Sequence, residues 1–157
     1  MKGKYFSFGA TSAVITGLAV IVSLSRTANP VIGITTALVV IAIADNISDS
    51  FGIHIHQESQ KESVIEVRKT TFTNFVTRVA VVSIFVLLVI LLPMNAAVAF
   101  SIFFGMAVIS VISYFIAKER QVKPHRIVFQ HLLITVSVII GSYFLREASV
   151  GLIAKFR

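Results

Sequence analysis

Apolar residues along the chain form five stretches that are separated by short polar turns. The stretches cover approximately residues 6–24, 31–56, 75–92, 96–117 and 127–145. Each is close to the ~20 helical residues that cross a hydrocarbon core about 30 Å thick. Because the connections are short, the pattern predicts a single all-α domain over residues 1–157, a polytopic membrane protein with five transmembrane helices.

The composition agrees with a membrane environment. Hydrophobic residues make up 56% of the 157 residues and charged residues only 13%, more apolar surface than a soluble domain of this size can bury. We therefore expect an integral membrane protein whose partner is the lipid bilayer, in the cell membrane or, in a eukaryote, a vacuolar-type membrane. The chain has no cysteine, which excludes disulfides and thiolate metal ligands.

The distribution of Lys and Arg predicts the orientation of the helices. With the N-terminus in the cytoplasm, ten of the 14 basic residues fall on the cytoplasmic side: Lys2, Lys4, Lys61, Arg68, Lys69, Arg78, Lys118, Arg120, Lys123 and Arg126. Arg26, Arg146, Lys155 and Arg157 fall on the other side, together with the C-terminus. This positive-inside bias explains the net charge of +7, so no nucleic-acid partner is expected.

The second stretch departs from the apolar pattern over "ADNISDSFGIHIHQESQ" (44–60). Five of the seven acidic residues, Asp45, Asp49, Glu58, Glu62 and Glu66, lie between positions 45 and 66. In a helix Asp45 and Asp49 share a face, about 6 Å apart along the axis. An ionised carboxylate at the bilayer centre costs about 2.5–3.5 kcal/mol on insertion scales. A pair of them repels and favours a shared proton or a bound cation.

Other polar residues extend this candidate site. His56 continues the aspartate stripe toward the cytoplasm and His54 lies beside it; carboxylates with imidazoles suit Mn²⁺, Fe²⁺ or Zn²⁺. If the second helix continues into the cytoplasm, Glu58, Glu62 and Glu66 form an acidic edge along it. The residues expected to line the pathway are Ser12, Thr16, Ser48 and His54.

Each of these features also has a structural interpretation. The aspartates can be protonated or hydrogen-bonded contacts between helices, and Arg78 can either cap the third helix or balance Asp49. The glutamates can form a solvated face offset by Lys61, Arg68 and Lys69. No enzyme activity is expected, because the sequence has no nucleophile–base motif, phosphate loop or cofactor fingerprint.

The sequence resembles the vacuolar iron transporter family, five-helix carriers of Fe²⁺ and Mn²⁺. In the first helix, "FGATSAVITGLAV" (8–20) matches the family's pattern at Phe8, Gly9 and Ala10 of this chain. In the second helix the matching residues are Ala44, Asp45, Ser48, Gly52, Ser59 and Gln60. "LLP" before Met94, "KPHR" and "GSY" are also similar. The resemblance covers nearly the whole chain and implies the five-helix fold and a homodimer.

The chain departs from the family pattern at several functional positions. Ser12 stands at the family's membrane-embedded Asp, Asp49 at its pathway Met, and Ile53 at its Glu. The family's long cytoplasmic helices are missing, so that only Glu58, Glu62 and Glu66 remain of a glutamate-rich region. One interpretation is that a carboxylate has moved from the first helix to the second; another is that transport has been lost or redirected.

Together these patterns predict a transporter of a divalent transition metal such as Fe²⁺ or Mn²⁺, coupled to protons. Its metal ligands would be Asp45, Asp49, His56, Glu58, Glu62 and Glu66, with the metal as substrate and no permanently bound cofactor. The alternative is a non-transporting scaffold or regulatory subunit whose polar second helix binds the helices of a partner.

Overall fold

The computed structural model describes residues 4–61 and 63–156, with side chains from position 8 onward, and its regular structure there is helical. The helices are α1 (Lys4–Leu24), α2 (Pro30–Val40), α3 (Asn46–Ser59), α4 (Val64–Leu91), α5 (Met94–Glu119) and α6 (Pro124–Ala154). A π-helical turn, Ile41–Asp45, joins α2 and α3 into one continuous helix. The expected all-α fold is confirmed.

Four helices in the described part are long and apolar enough to cross a membrane: Pro30–Ser59, Val64–Leu91, Met94–Glu119 and Pro124–Ala154. The side-chain-resolved part of the first helix, Phe8–Leu24, is apolar but shorter. The chain is therefore a helical membrane protein. Many large apolar side chains on its outer surface, among them Phe103 and Phe115, are well exposed, as a surface in contact with lipid requires.

The core lies around α1, which packs against α2, α4, α5 and α6. Fully buried aliphatic residues of α1, including Val14 and Leu18, meet Phe85 and Val89 of α4. Phe85 also makes an edge-to-face contact with Phe104 of α5, with ring centroids 5.5 Å apart. Without a hydrophobic driving force between helices in lipid, such close packing is a main source of their association.

Small residues allow α1 and α4 to approach closely. A Cβ atom on Gly9 would lie 2.7 Å from the backbone oxygen of Asn74, and one on Gly17 would lie 2.7 Å from the Phe85 ring. Gly9, Ala13 and Gly17 recur every four residues on one face of α1, a spacing that in sequence suits either internal packing or a dimer contact. The structure uses both glycines for packing within the chain, so they do not form an exposed dimer contact.

The end of the second membrane helix and the start of α4 differ from the sequence prediction, and both affect the candidate site. The second helix ends at Ser59, and the chain turns through Lys61, which has a φ of 57°. Ser63 then caps α4 by accepting a hydrogen bond from the backbone N–H of Glu66, the preferred role of serine at a helix start. The helix α4 thus begins about three turns before the third predicted span, 75–92.

Candidate functional site

The two membrane aspartates are held by one arginine on the neighbouring helix. Arg78 of α4 is fully buried and directs Nη2 to Oδ2 of Asp45 and Nη1 to Oδ2 of Asp49. Asp45 ends the π-helical turn and Asp49 lies one turn later in α3. The planar guanidinium has donors in a fork, which allows it to span two carboxylates on successive turns. Of the two roles that the sequence allows for Arg78, the contact with Asp49 is the one observed, and Asp45 shares the same partner.

Arg78 occupies the middle of its helix. It lies 14 residues after Val64, about 21 Å along the axis at 1.5 Å per residue. The guanidinium therefore lies inside the bundle, and its predicted place on the cytoplasmic side stays a prediction. Burial of an arginine is strongly unfavourable without anionic partners, so the aspartates are what permit this position.

The carboxylates, unlike the arginine, reach the surface of the chain. The Asp45 side chain is 45% exposed and that of Asp49 is 30% exposed, against 1% for Arg78. Each carboxylate binds the guanidinium through Oδ2. Among the described residues neither Oδ1 atom has a hydrogen-bond partner. The carboxylate oxygens that Arg78 does not hold therefore lie on the accessible side of the cluster.

The first helix contributes Ser12, whose hydroxyl donates to Oδ2 of Asp49 at 3.4 Å. This contact places Ser12 beside the aspartates, as the sequence suggested. Thr16, one turn further along α1, makes no side-chain hydrogen bond within the part of the chain that the structure describes. Ser48 is exposed on the outer face of α3. Of the expected pathway-lining residues, Ser12 alone contacts the aspartate pair.

A second set of polar residues binds α3 to α4. The Asn46 amide donates to the backbone oxygen of Phe75 at 3.0 Å and accepts from Ser50 at 3.5 Å. Asn74 in turn donates to the Ser50 hydroxyl at 3.3 Å. Asn46, Ser50 and Asn74 are all buried. This network is interhelical polar contact of the kind that membrane helices use, and it fixes the register that brings Arg78 to both aspartates.

The remaining predicted ligands lie apart from this cluster. His54 Nε2 is 3.4 Å from Glu58 Oε1 one turn later, His56 is exposed, and Glu62 lies outside the described residues. Glu66 lies in the first turn of α4, after the second helix has ended at Ser59, so the acidic edge along one continuous helix is not formed. Within the described residues, no three His, Asp or Glu side chains are grouped to hold a metal ion. The ligand roles of these residues stay predictions.

A membrane histidine not selected from the sequence has a well-defined partner. His131 Nδ1 of α6 lies 2.7 Å from the Ser113 hydroxyl of α5, which itself donates to the Ile109 carbonyl at 2.6 Å. With the one proton of that hydroxyl directed to Ile109, the donor between His131 and Ser113 is the Nδ1–H of the ring. The ring lines a cleft of about 260 Å³ with Thr11, Ile15 and Thr135. A single histidine inside an apolar run was the only sequence signal.

Comparisons with known proteins add no identification: no family model, no curated protein and no solved structure matches the chain. The interpretation of the site therefore rests on the geometry of the Asp45, Asp49 and Arg78 side chains and on their neighbours.

Charge balance within the cluster predicts a specific stability pattern. Replacing Arg78 with Gln leaves two carboxylates without a cation, and losing one partner of a buried ion pair costs about 3–5 kcal/mol. Adding Asp45→Asn and Asp49→Asn to Arg78→Gln removes the repulsion, so the triple variant should recover most of that loss. The loss in Arg78→Gln and its recovery in the triple variant are both measured as the free energy of unfolding in mixed micelles titrated with dodecyl sulfate.

The matched control is Arg126→Gln, which removes a cation from an exposed position and should change stability by about 0.5 kcal/mol or less. A triple variant as unstable as Arg78→Gln would contradict charge balance as the reason that these residues occur together.

Proposed function

We propose that this protein is a membrane carrier of divalent transition metal ions such as Fe²⁺ or Mn²⁺, coupled to protons, and that Asp45 and Asp49 bind the ion. The observation that carries the proposal is the pair of carboxylates one turn apart in a membrane helix, both partly exposed while their arginine is buried. Intramembrane carboxylates that reach an accessible surface are typical of ion and proton pathways.

Arg78 has the role of a tethered counter-ion in this proposal. With the guanidinium in place the cluster has one net negative charge, and one proton on either carboxylate neutralises it. A divalent cation would bind through the Oδ1 atoms, which have no hydrogen-bond partner among the described residues, while both Oδ2 atoms keep the contact with the guanidinium that the buried Arg78 needs. The metal ion and the proton compete for the same carboxylates, which links metal release to proton uptake.

The resemblance to the vacuolar iron transporter family supports the same class of substrate, through Asp45 and the residues around it in the second helix. The difference at Asp49, in place of the family's Met, exchanges a soft ligand for a hard one. Carboxylate oxygens suit Mn²⁺ and imidazole suits Fe²⁺ and Zn²⁺. Association as a homodimer belongs to the same resemblance and remains part of the proposal.

The orientation that we propose has five spans, with the N-terminus in the cytoplasm and the C-terminus on the other side. Without Arg78, nine basic residues still fall on the cytoplasmic side against four, which supports this orientation. Because the chain has no cysteine, Asn95→Cys and Gln121→Cys can be labelled in turn. We expect an impermeant maleimide added to intact cells to label Asn95→Cys alone; the reverse result would invert the orientation.

One observation favours the alternative function, a non-transporting subunit that binds a partner. Ser48, Gly52 and His56 form an exposed polar and small-residue face of α3, and a Cβ on Gly52 would meet no atom within 4 Å. A membrane helix with such a face is suited to contact with another helix. A co-purifying partner, together with stability that is independent of metal, would support this alternative.

Metal uptake into proteoliposomes tests the transport proposal. We expect Mn²⁺ uptake by the parent protein, faster when the lumen is acidic, and at least a tenfold loss in Asp49→Asn. That variant keeps the contact of Asp45 with Arg78 and so leaves one ion pair to hold the helices. Glu119→Gln makes the same charge change at an exposed helix end and should transport normally. Equal uptake by Asp49→Asn and the parent would reject Asp49 as a ligand.

A further inference from the structure

A groove beside the turn between α1 and α2 is lined by none of the candidate metal-site residues and has no role in the proposed transport. It has a volume of about 440 Å³ and lies between the end of α1, the start of α5 and the middle of α6. We call it the Arg26 groove. Its apolar lining consists mainly of Val22, Val98, Ile102, Ile139 and Ile140.

The polar residues of the Arg26 groove are concentrated at one end. Arg26 lies in the turn after α1, Asn95 is the second residue of α5, and Tyr143 faces them from α6. From Asn95 the apolar lining continues to Ile102, seven residues and about 10 Å deeper along α5. The groove therefore has a polar end at the helix termini and an aliphatic interior that runs along the helices.

Arg26 brings a positive charge to the polar end. Its Nη1 donates to the Tyr143 hydroxyl at 3.2 Å, and the guanidinium carbon lies 5.0 Å from the centroid of the Tyr143 ring. Neither contact supplies a negative charge to pair with the guanidinium. The neighbouring carboxylate, Glu147, is paired with Arg146, which also donates to the Arg26 carbonyl at 3.0 Å. Among the described residues no carboxylate forms an ion pair with Arg26.

We propose that the Arg26 groove binds one phospholipid, with an acyl chain along the aliphatic lining and the phosphate against Arg26. The guanidinium fork matches phosphate oxygens in a bidentate geometry, and such charge-assisted hydrogen bonds are the strong ones. The exposed Asn95 amide has no side-chain hydrogen bond within the described part of the chain and lies where it can donate to the same headgroup. Charge and shape thus point to an anionic diester on an aliphatic chain, independently of any transport activity.

Native mass spectrometry of the full-length protein tests this proposal. After delipidation in detergent, we expect one dioleoyl-phosphatidylglycerol to bind saturably and dioleoylglycerol, which lacks the phosphate, to bind at least tenfold more weakly. Arg26→Gln should weaken phosphatidylglycerol binding at least about tenfold, because it removes the charge and keeps a polar side chain. Arg126→Gln removes a cation near the start of α6, outside the groove, and should bind like the parent.

A second variant tests the chain-binding part. Val98→Phe fills the aliphatic interior and leaves Arg26 in place, so it should also abolish saturable binding while the helical circular-dichroism signal is kept. The proposal is overturned if Arg26→Gln binds phosphatidylglycerol as tightly as the parent, or if dioleoylglycerol binds equally well. If Val98→Phe does not fold, the comparison of Arg26→Gln with Arg126→Gln still decides the question.

Discussion

The contact of Arg78 with Asp45 and Asp49 is the interaction on which the rest of the structure depends. A guanidinium in the middle of a membrane helix requires anionic partners, and here both lie on the neighbouring helix, one turn apart. Satisfying both at once sets the register of the second helix against α4. The buried network of Asn46, Ser50 and Asn74 supports the same register from the adjacent face. The close approach of α1 at Gly9 then completes the three-helix contact.

The asymmetry of burial in this cluster is the observation that favours a cation-exchanging site over an ion pair with a structural role alone. If its purpose were structural alone, shielding both carboxylates as fully as the arginine would strengthen the pair, since lipid offers them no solvation. Instead the carboxylates reach the surface, and their Oδ1 atoms have no hydrogen-bond partner in the part of the chain that the structure describes. Proton binding and metal binding both need such oxygens, whereas contact with a partner helix would cover them. Transport and partner binding therefore make opposite demands on the same face of α3.

Much of the fold followed from the apolar periodicity, because the length of the apolar runs and the polar turns between them are local properties of the chain. The aspartates were also visible from the sequence, since carboxylates are rare in membrane helices. That one arginine would hold both was not predictable: it depends on the helix register and on where α4 begins, and both are set by tertiary contacts. The end of the second membrane helix at Ser59 likewise depends on the turn at Lys61 rather than on the composition of the segment. His131 was missed because one polar residue does not change the apolar pattern of its helix.

The central claim is that the carboxylates of Asp45 and Asp49 bind a metal ion in place of a proton while Arg78 stays paired with them, and Mn²⁺ electron paramagnetic resonance on the purified protein tests it most directly. Binding broadens the six-line signal of free Mn²⁺, so a titration counts the bound ions. The account predicts about one saturable Mn²⁺ per chain, released on acidification and lost in Asp49→Asn, with binding retained in Glu119→Gln. A folded parent protein that leaves the free signal unchanged at millimolar Mn²⁺ would contradict the account and favour a structural role for the cluster.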